Sequence, residues 1–137
     1  MNMNRVVLGG VVGGVVYTVV SLIVNIVGLA DRYTFLQKSH LLREDPRIPF
    51  LPIYILVLFL VSIGLVWLYA AARTRLGPGP KTALCVGMTV GLIAGLPGNL
   101  AQFSWSYTGG FVAMCWTIEA VAGCTLATLA GAWVYTE

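Results

Sequence analysis

Charged residues are scarce in this sequence, and their scarcity excludes most kinds of soluble protein. Only 9% of the 137 residues are charged, whereas 58% are hydrophobic, and the mean hydropathy is +0.89. A soluble domain carries roughly 25% charged residues, so this chain has too few to cover a surface that faces water. The net charge of +3 is small and forms no basic stripe, which argues against nucleic acid as a partner.

Residues that commonly carry enzyme chemistry are also few. The chain has one histidine, His40, and its three cysteines lie in apolar runs: Cys85, Cys115 and Cys124. The sequence has no Cys-x-x-Cys or Cys/His spacing, no phosphate-binding loop and no Ser/His/Asp set. Because a reactive thiol needs an exposed, electropositive setting, we interpret the cysteines as packing residues. The sequence therefore predicts neither an enzyme nor a metal site.

Long apolar runs take the place of these features. Four runs reach the length of about 20 residues that a membrane-spanning helix needs, and they cover about residues 6–30, 50–72, 82–103 and 111–135. Buried strands run only about 4–8 residues, and backbone groups in lipid must be paired within their own segment. The first run also exceeds the about 7–15 apolar residues of a signal peptide, so we expect it to be a span. The sequence predicts an all-α membrane protein, a four-helix transmembrane bundle in one domain, 1–137.

The first connection, residues 31–49, is the longest. Phe35 or Leu36 and then Leu41 or Leu42 follow each other at helical spacing, which predicts a short helix in the membrane interface. The second connection is a tight basic turn with Gly-Pro-Gly-Pro at its centre. The third, residues 104–110, is uncharged, and its aromatic residues suit the headgroup level of a bilayer.

Lysine and arginine are divided equally between the two sides of the predicted bundle. One side carries Arg5, Arg73, Arg75 and Lys81, and the other carries Arg32, Lys38, Arg43 and Arg47. The cytoplasmic side usually holds the excess of such residues, so this count does not decide the orientation. The acidic residues of the first connection and the uncharged third connection favour both termini in the cytoplasm.

Small residues recur at helix-packing spacing in three of the four spans. Gly9 and Gly13 of the first span form one Gly-x-x-x-Gly pair, and Gly10 and Gly14 form another. The third and fourth spans carry the remaining small-residue faces, with Gly87, Gly91 and Gly95 in the third and Gly123, Ala127 and Gly131 in the fourth. Helices in lipid associate through such close contacts. These faces can pack within one bundle or dock partner subunits.

The most informative polar residue is Glu119, the one acidic residue well inside a predicted span. At about 1.5 Å per residue it lies about 12 Å below the membrane surface that Phe111 marks. Alternating helix directions bring four uncharged polar residues into the same half of the bilayer: Asn25, Tyr54, Asn99 and Gln102. As a functional group, Glu119 would bind a proton, a cation or a polar ligand. As a structural group, it would be neutral or hydrogen-bonded and fix the helix register, because burial disfavours the charged form.

Two further residues have open interpretations. Pro97 inside the third span removes a backbone hydrogen bond and predicts a kink, which is either a hinge or simply packed around. His40 in the first connection is a weak candidate for an axial ligand of a haem or a pigment, which would make the chain a redox or pigment protein; a solvated or structural role is the alternative. The sequence leaves the cofactor unknown.

The second connection carries a family resemblance. The run Trp67-Leu-Tyr-Ala-Ala-Ala-Arg73-Thr-Arg75-Leu-Gly77-Pro-Gly-Pro-Lys81-Thr-Ala83 and the ending Ala127-Thr-Leu-Ala-Gly131-Ala-Trp-Val-Tyr135-Thr-Glu137 resemble a family of small, uncharacterised bacterial four-helix transmembrane proteins. The glycine-rich opening and the glutamate of the fourth span fit as well. Thr74 stands where that family often has proline. The resemblance implies the topology and a bacterial source, and it implies no activity.

The sequence therefore supports two functional hypotheses. The leading one is a non-enzymatic accessory subunit of a larger, possibly energy-transducing membrane complex in the bacterial cytoplasmic membrane, with lipid and other membrane subunits or further copies of the chain as partners. It rests on the small size, the glycine faces and the missing catalytic set. The alternative is a small oligomeric transporter or channel that uses Glu119 and its polar neighbours.

Overall fold

The computed structural model describes residues 2–135, and within them the chain forms five α-helices and no strand. These are α1 (Met3–Leu22), α2 (Ala30–Lys38), α3 (Phe50–Leu76), α4 (Pro80–Trp105) and α5 (Gly110–Val134), and a π-helical segment, Ile23–Gly28, extends α1. Extended α1, α3, α4 and α5 are each long and apolar enough to cross a membrane. The prediction of an all-α membrane protein with a four-helix bundle is thus confirmed.

The predicted boundaries of the spans lie close to those of the helices. The largest difference is at the end of α3, which was expected near Ala72 and continues to Leu76. The basic residues Arg73 and Arg75 therefore belong to the last turn of the helix, where cations interact favourably with the unpaired carbonyl groups. The last two residues of the family-like ending, Thr136 and Glu137, lie outside the described residues.

Both ends of the described chain lie on one side of the bundle. There Val6 of α1, Tyr69 of α3, Ala83 of α4 and Tyr135 share one buried cluster. We call this side, which also carries the connection between α3 and α4, the terminal side. The opposite side carries α2 and the connection between α4 and α5, and we call it the first-loop side.

The tight turn on the terminal side depends on two glycines with positive φ. Gly77 has φ +84° and Gly79 has φ +135°, which are conformations that side chains with a Cβ rarely adopt. The backbone N–H of Gly79 donates to the Tyr69 hydroxyl at 3.2 Å, and the Thr82 hydroxyl donates to the Gly77 carbonyl at 2.7 Å. Pro80 then begins α4, where its missing N–H is not needed.

The glycine face of α1 packs within the bundle. A Cβ on Gly9 would lie 2.7 Å from the carbonyl oxygen of Gly131, and a Cβ on Gly13 would lie 2.7 Å from that of Ala127. The backbones of α1 and α5 are therefore in direct contact. Gly10 and Gly14 face the Ile63 and Phe59 side chains of α3 in the same close manner, so α1 fits between two helices.

The glycine face of α4 packs against α5 as well. A Cβ on Gly87 would lie 2.6 Å from the Cα of Thr125, and one on Gly91 would lie 2.6 Å from the Cα of Val121. Gly95 faces the Ala120 side chain. Gly123 lies under the Tyr17 ring, and Gly131 lies against Val66. Every glycine predicted to mediate helix packing thus makes its close contact inside this chain.

Pro97 does not interrupt α4. The helix runs from Pro80 to Trp105 with the proline inside it, so the chain packs around the lost hydrogen bond. The side chain of Ile93, whose carbonyl that bond would have used, is 69% exposed on the outer surface of the bundle. Within the described residues, Pro97 therefore does not break the helix.

The short helix predicted in the first connection is present as α2, but it lies against the bundle. Leu29 just before it and Leu36 within it are 0% and 3% exposed and pack with Val112 of α5. Arg32 stands over the Phe111 ring, with its Cζ 5.9 Å from the ring centre. The predicted apolar positions Phe35, Leu41 and Leu42 are exposed, and the latter two lie beyond the end of the helix.

Candidate functional site

Glu119 is buried on the first-loop half of the bundle. Its side chain is 4% exposed. It belongs to a stripe of α5 that faces the interior of the bundle and also carries the buried residues Val112, Gly123 and Ala127. Each turn of α5 toward the terminal side carries small residues on this stripe, which lets the neighbouring helices come close. The glutamate therefore sits where α1, α3 and α5 converge.

Two neutral side chains from other helices donate hydrogen bonds to the carboxylate. The Tyr54 hydroxyl of α3 donates to Oε1 at 2.7 Å, and the Asn25 amide nitrogen donates to Oε2 at 2.9 Å. Each carboxylate oxygen thus has one partner, and no lysine or arginine bonds to it within residues 2–135. A buried acid that is held by neutral donors can keep or lose a proton without breaking an ion pair.

The orientation of the Asn25 amide is determined by its neighbours. Its two N–H groups point to Glu119 Oε2 and to the Ser21 carbonyl, each at 2.9 Å, and its oxygen accepts a hydrogen bond from the Tyr33 hydroxyl at 2.6 Å. A flipped amide would turn its oxygen toward two other acceptors. Asn25 therefore accepts a hydrogen bond from Tyr33 and donates one to Glu119.

The π-helical segment places Asn25 at this position. In an α-helix the Ser21 carbonyl would accept the backbone N–H of residue 25; here it accepts the Asn25 side chain. The segment Ile23–Gly28 is rich in β-branched residues, which have low helix propensity. Short π-helical insertions recur at functional sites because they turn side chains out of the α-helical register.

Tyr33 and Trp116 complete the cluster on the first-loop side. The indole N–H of Trp116 donates to the Tyr33 hydroxyl at 2.9 Å, which in turn donates to Asn25. Ser21 donates to the Tyr54 hydroxyl at 3.3 Å. We define the Glu119 cluster as the six residues joined by these hydrogen bonds: Ser21, Asn25, Tyr33, Tyr54, Trp116 and Glu119.

Burial also affects the Tyr33 hydroxyl. Loss of solvation raises the pKa of Tyr33 above its ordinary value, against a smaller lowering by the Trp116 hydrogen bond. The hydroxyl therefore keeps its proton at neutral pH and remains a donor to Asn25. Tyr33 lies on α2, outside the spanning helices, so it connects the interior of the bundle to the membrane surface.

Three members of the cluster were not among the site residues predicted from the sequence: Ser21, Tyr33 and Trp116. Trp116 precedes Glu119 by three residues, and residues at this spacing share one face of a helix, so that signal was available. Tyr33 could not be found in this way, because its position depends on the π-helical segment and on the direction in which α2 leaves it.

Two predicted members of the site lie elsewhere. The Asn99 amide of α4 donates to the Thr117 hydroxyl at 3.1 Å, and Thr117 precedes Glu119 by two residues. Residues two apart on a helix point to different sides, so Asn99 is held away from the carboxylate. The Gln102 side chain is half-buried and makes no hydrogen bond to the described residues. The prediction that these two amides complete the site is not supported by the geometry.

A second polar contact continues below Glu119 toward the terminal side. The Cys124 thiol donates to the Tyr17 hydroxyl at 3.6 Å, and the Tyr17 ring covers Gly123. One turn further, the Ser62 hydroxyl is fully buried and has no hydrogen-bond partner among the described residues. Leu58, Leu65 and Ala127 pack around these groups, so polar contacts become sparse in this direction.

The candidate axial ligand His40 is remote from this cluster. It is exposed, it follows the end of α2, and its backbone has a positive φ of 56°. No group of three or more His, Cys, Asp or Glu side chains suited to a metal ion occurs within residues 2–135. A pigment or haem role for His40 stays a prediction.

The arrangement surrounds the buried Glu119 carboxyl group with hydroxyl and amide groups, and their hydrogen bonds extend toward the first-loop side. Comparisons of this chain with protein families, with curated proteins and with solved structures find no match. The resemblance to small bacterial four-helix membrane proteins therefore stays a prediction, and the function is argued from the cluster itself.

Proposed function

We propose that this protein is a small oligomeric transporter or channel for protons, in which Glu119 takes up and releases the proton. One observation carries the proposal. Within a spanning helix, a carboxylate that is 4% exposed is held at both oxygens by the neutral side chains of two other helices. An ionisable residue in such a position usually belongs to an ion or proton pathway.

The hydrogen bonds to Glu119 are strong enough to hold a carboxyl group inside the bundle. A charged side chain at the centre of a span costs at least ~2.5–3.5 kcal/mol. A hydrogen bond to a charged group contributes about 1.5–3 kcal/mol, and Glu119 accepts two of them. The two hydrogen bonds together are therefore large enough to compensate for placing a carboxyl group at this depth.

The hydroxyl groups beside Glu119 suit both forms. Tyrosine and serine hydroxyls can donate and accept, so Tyr54 donates to the carboxylate in the charged form. When Glu119 is protonated, its own O–H can donate to Tyr54, whose hydroxyl then turns toward Ser21 at 3.3 Å. The cluster thereby accommodates the proton without moving a helix.

The oligomer in this proposal follows from the packing on the terminal side. Beyond Glu119 the backbones of α1 and α5 touch at Gly13 and Ala127 and again at Gly9 and Gly131. A proton therefore completes its path either through a rearrangement of these helices or along a surface shared with a second copy. We propose the second route, since small-residue contacts of this kind resist separation.

We further propose that the protein lies in the cytoplasmic membrane of a bacterium with both termini in the cytoplasm. Three observations support this location: the acidic residues of the first connection, the uncharged connection between α4 and α5, and the family resemblance. The accessory-subunit hypothesis remains the alternative prediction. The glycine faces that suggested it make contacts within the bundle, so a purification with a C-terminal tag that recovers other subunits in fixed ratio would be needed to restore it.

The test is proton flux into liposomes that contain the purified protein. A potassium diffusion potential drives protons inward, and a pH-sensitive dye inside the vesicles reports their arrival. We expect wild-type protein to acidify the interior and Glu119→Gln to abolish this flux. The amide keeps the size and the hydrogen-bonding ability of the carboxyl group but cannot take up a proton in this pH range.

The matched control is Asn99→Ala. Asn99 is a polar residue in the same half of the bilayer that bonds to Thr117 and not to the Glu119 cluster. This variant should conduct like the wild type, and circular dichroism should give the same helix content for all three proteins. Wild-type vesicles no faster than empty ones, or full flux through Glu119→Gln, would refute the proposal.

A further inference from the structure

We infer that protons reach Glu119 from the first-loop side, past the Tyr33 hydroxyl, and that α2 is the movable cover of this entrance. The inference rests on the proposed function for its role in transport, but the access route itself can be measured without transport. It assigns a task to Tyr33, Trp116 and α2, none of which the sequence singled out.

On the first-loop side, hydrogen bonds run without a gap from the edge of the bundle to the carboxylate. Trp116 donates to Tyr33 at 2.9 Å, Tyr33 donates to Asn25 at 2.6 Å, and Asn25 donates to Glu119 at 2.9 Å. Tyr33 is half-buried and belongs to α2, which lies outside the spanning helices. An indole N–H and an amide do not pass a proton on, so the carrier is water that enters between Tyr33 and Glu119 when α2 moves away.

On the terminal side, the hydrogen bond from Cys124 to Tyr17 is followed by apolar and backbone contacts. The Tyr17 ring lies against Gly123, and Leu65 and Ala127 are 1% and 0% exposed. Further on, Val6 and Val66 are both 0% exposed. The isolated Ser62 hydroxyl is the one polar side chain there that has no partner among the described residues. A proton has no comparable chain of donors and acceptors on this side.

Few contacts hold α2 against the rest of the bundle, as expected for a helix that can move away from it. Leu29, Leu36, the Arg32–Phe111 contact and the Trp116–Tyr33 hydrogen bond hold it to α5, while its outer residues face away from the bundle. Gly28 precedes it, and a Cβ at that position would meet nothing within 4 Å. The π-helical segment that joins α2 to α1 is a geometry of lower stability than the α-helix. Movement of α2 would withdraw Tyr33 and open the Asn25–Glu119 pair to water.

Titratable groups face Glu119 from three helices. Tyr17 of α1, Tyr54 of α3 and Tyr33 of α2 are phenols, and Cys115 and Cys124 of α5 are thiols on its own helix. α4 brings no titratable side chain to the cluster within the described residues, since it faces α5 through Gly91, Gly95 and Asn99. Glu119 is thus the one carboxyl group of this set, and the others are phenols and thiols.

The experiment measures the reaction of Glu119 with a water-soluble carbodiimide, which attaches to a protonated carboxyl group. The full chain is placed in sealed vesicles of one orientation, the reagent is added either outside or inside, and mass spectrometry follows the labelled α5 peptide. Glu119→Gln identifies labelling at other carboxyl groups. We expect wild-type Glu119 to react faster when the reagent is on the first-loop side.

Two substitutions on α2 provide the test of the cover. Leu36→Ala removes a buried contact between α2 and α5 and should raise the labelling rate from the first-loop side about tenfold. This corresponds to a loss of about 1.4 kcal/mol in the free energy that keeps α2 docked. Phe35→Ala is the matched control, because Phe35 precedes Leu36 on the same helix and is 57% exposed; it should leave the rate unchanged. Tyr33→Phe keeps the ring but removes the hydroxyl that lines the route to Glu119, so it should slow proton flux.

The outcomes separate this inference from the proposed function. Equal labelling from both sides, faster labelling from the terminal side, or no effect of Leu36→Ala would overturn the inference even if the liposomes conduct protons. Labelling confined to the first-loop side and accelerated by Leu36→Ala would support it even if flux is absent, and in that case the proposed function fails alone. If Leu36→Ala does not fold, Leu36→Val is the milder variant on which the same comparison rests.

Discussion

A pair of glycine substitutions tests whether the glycine face of α1 packs inside this chain. A Cβ on Gly13 would lie 2.7 Å from the carbonyl oxygen of Ala127, closer than real Cβ contacts come, and that oxygen belongs to the backbone and cannot rotate away. Gly64, inside α3, has no atom within 4 Å of the same added Cβ. Gly13→Ala and Gly64→Ala therefore make the same chemical change in a closed and in an open position.

The expected free energies of unfolding follow from two effects. Replacing a helical glycine by alanine stabilises a helix by about 0.5–1 kcal/mol, and both variants gain this amount. Overpacking a close contact costs about 1–3 kcal/mol, and only Gly13→Ala carries this cost. Gly64→Ala should thus be slightly more stable than the wild type, and Gly13→Ala should be less stable than Gly64→Ala by about 1–3 kcal/mol.

The assay is reversible unfolding of the purified protein in mixed micelles with increasing denaturing detergent, followed by tryptophan fluorescence. Equal stability of the two variants would show that the Gly13 face does not pack against α5. If Gly13→Ala is as stable as Gly64→Ala but no longer recovers partner subunits on purification, the glycine face docks other proteins. That result would support the accessory-subunit hypothesis.

Two further predictions concern the Glu119 cluster. Tyr54→Phe leaves Glu119 Oε1 buried without its donor, so the same assay should give a loss of about 1–3 kcal/mol; an unchanged stability would mean that this hydrogen bond is not formed. Burial raises the pKa of Tyr33, so docked α2 holds that proton more tightly than undocked α2 does. Docking should therefore be constant below the ordinary tyrosine pKa of 10.0 and weaken as the pH rises above it, as followed by Trp116 fluorescence; the same transition in Tyr33→Phe would contradict this assignment.

The fold could be predicted from the sequence because length and apolarity are local properties. A run of about 20 apolar residues has few structural solutions in lipid, and glycine at every fourth position marks a face on which helices approach. The turn at Gly77 and Gly79 carried an equally local signal. These features depend on the chain within a few residues, so the sequence alone could specify them.

The composition of the site was harder to predict, because it depends on the rotation of each helix about its own axis. Depth in the bilayer placed Asn25, Tyr54 and Asn99 at similar levels, but depth does not tell which face of α4 turns toward α5. Asn99 meets Thr117 because that face of α4 turns toward α5. Asn25 meets Glu119 because a π-helical segment in the first span changes the register there. Such a segment leaves little trace in hydropathy, so Tyr33 could not be predicted either.

The orientation of the chain connects the entrance at α2 with the direction of transport. Four spans place both ends of the described chain on the terminal side, and the proposed orientation puts that side in the cytoplasm. The entrance at α2 would then face away from the cytoplasm. Glu119 would then be loaded by protons from outside and would release them inward, down the proton gradient of an energised bacterial membrane. A fluorescent protein fused after Glu137 should fold and fluoresce in cells, whereas an alkaline phosphatase fused at the same place should be inactive. The opposite result would reverse the orientation, and Glu119 would then be loaded from the cytoplasm while the hydrogen bonds that lead to it from Tyr33 stay the same.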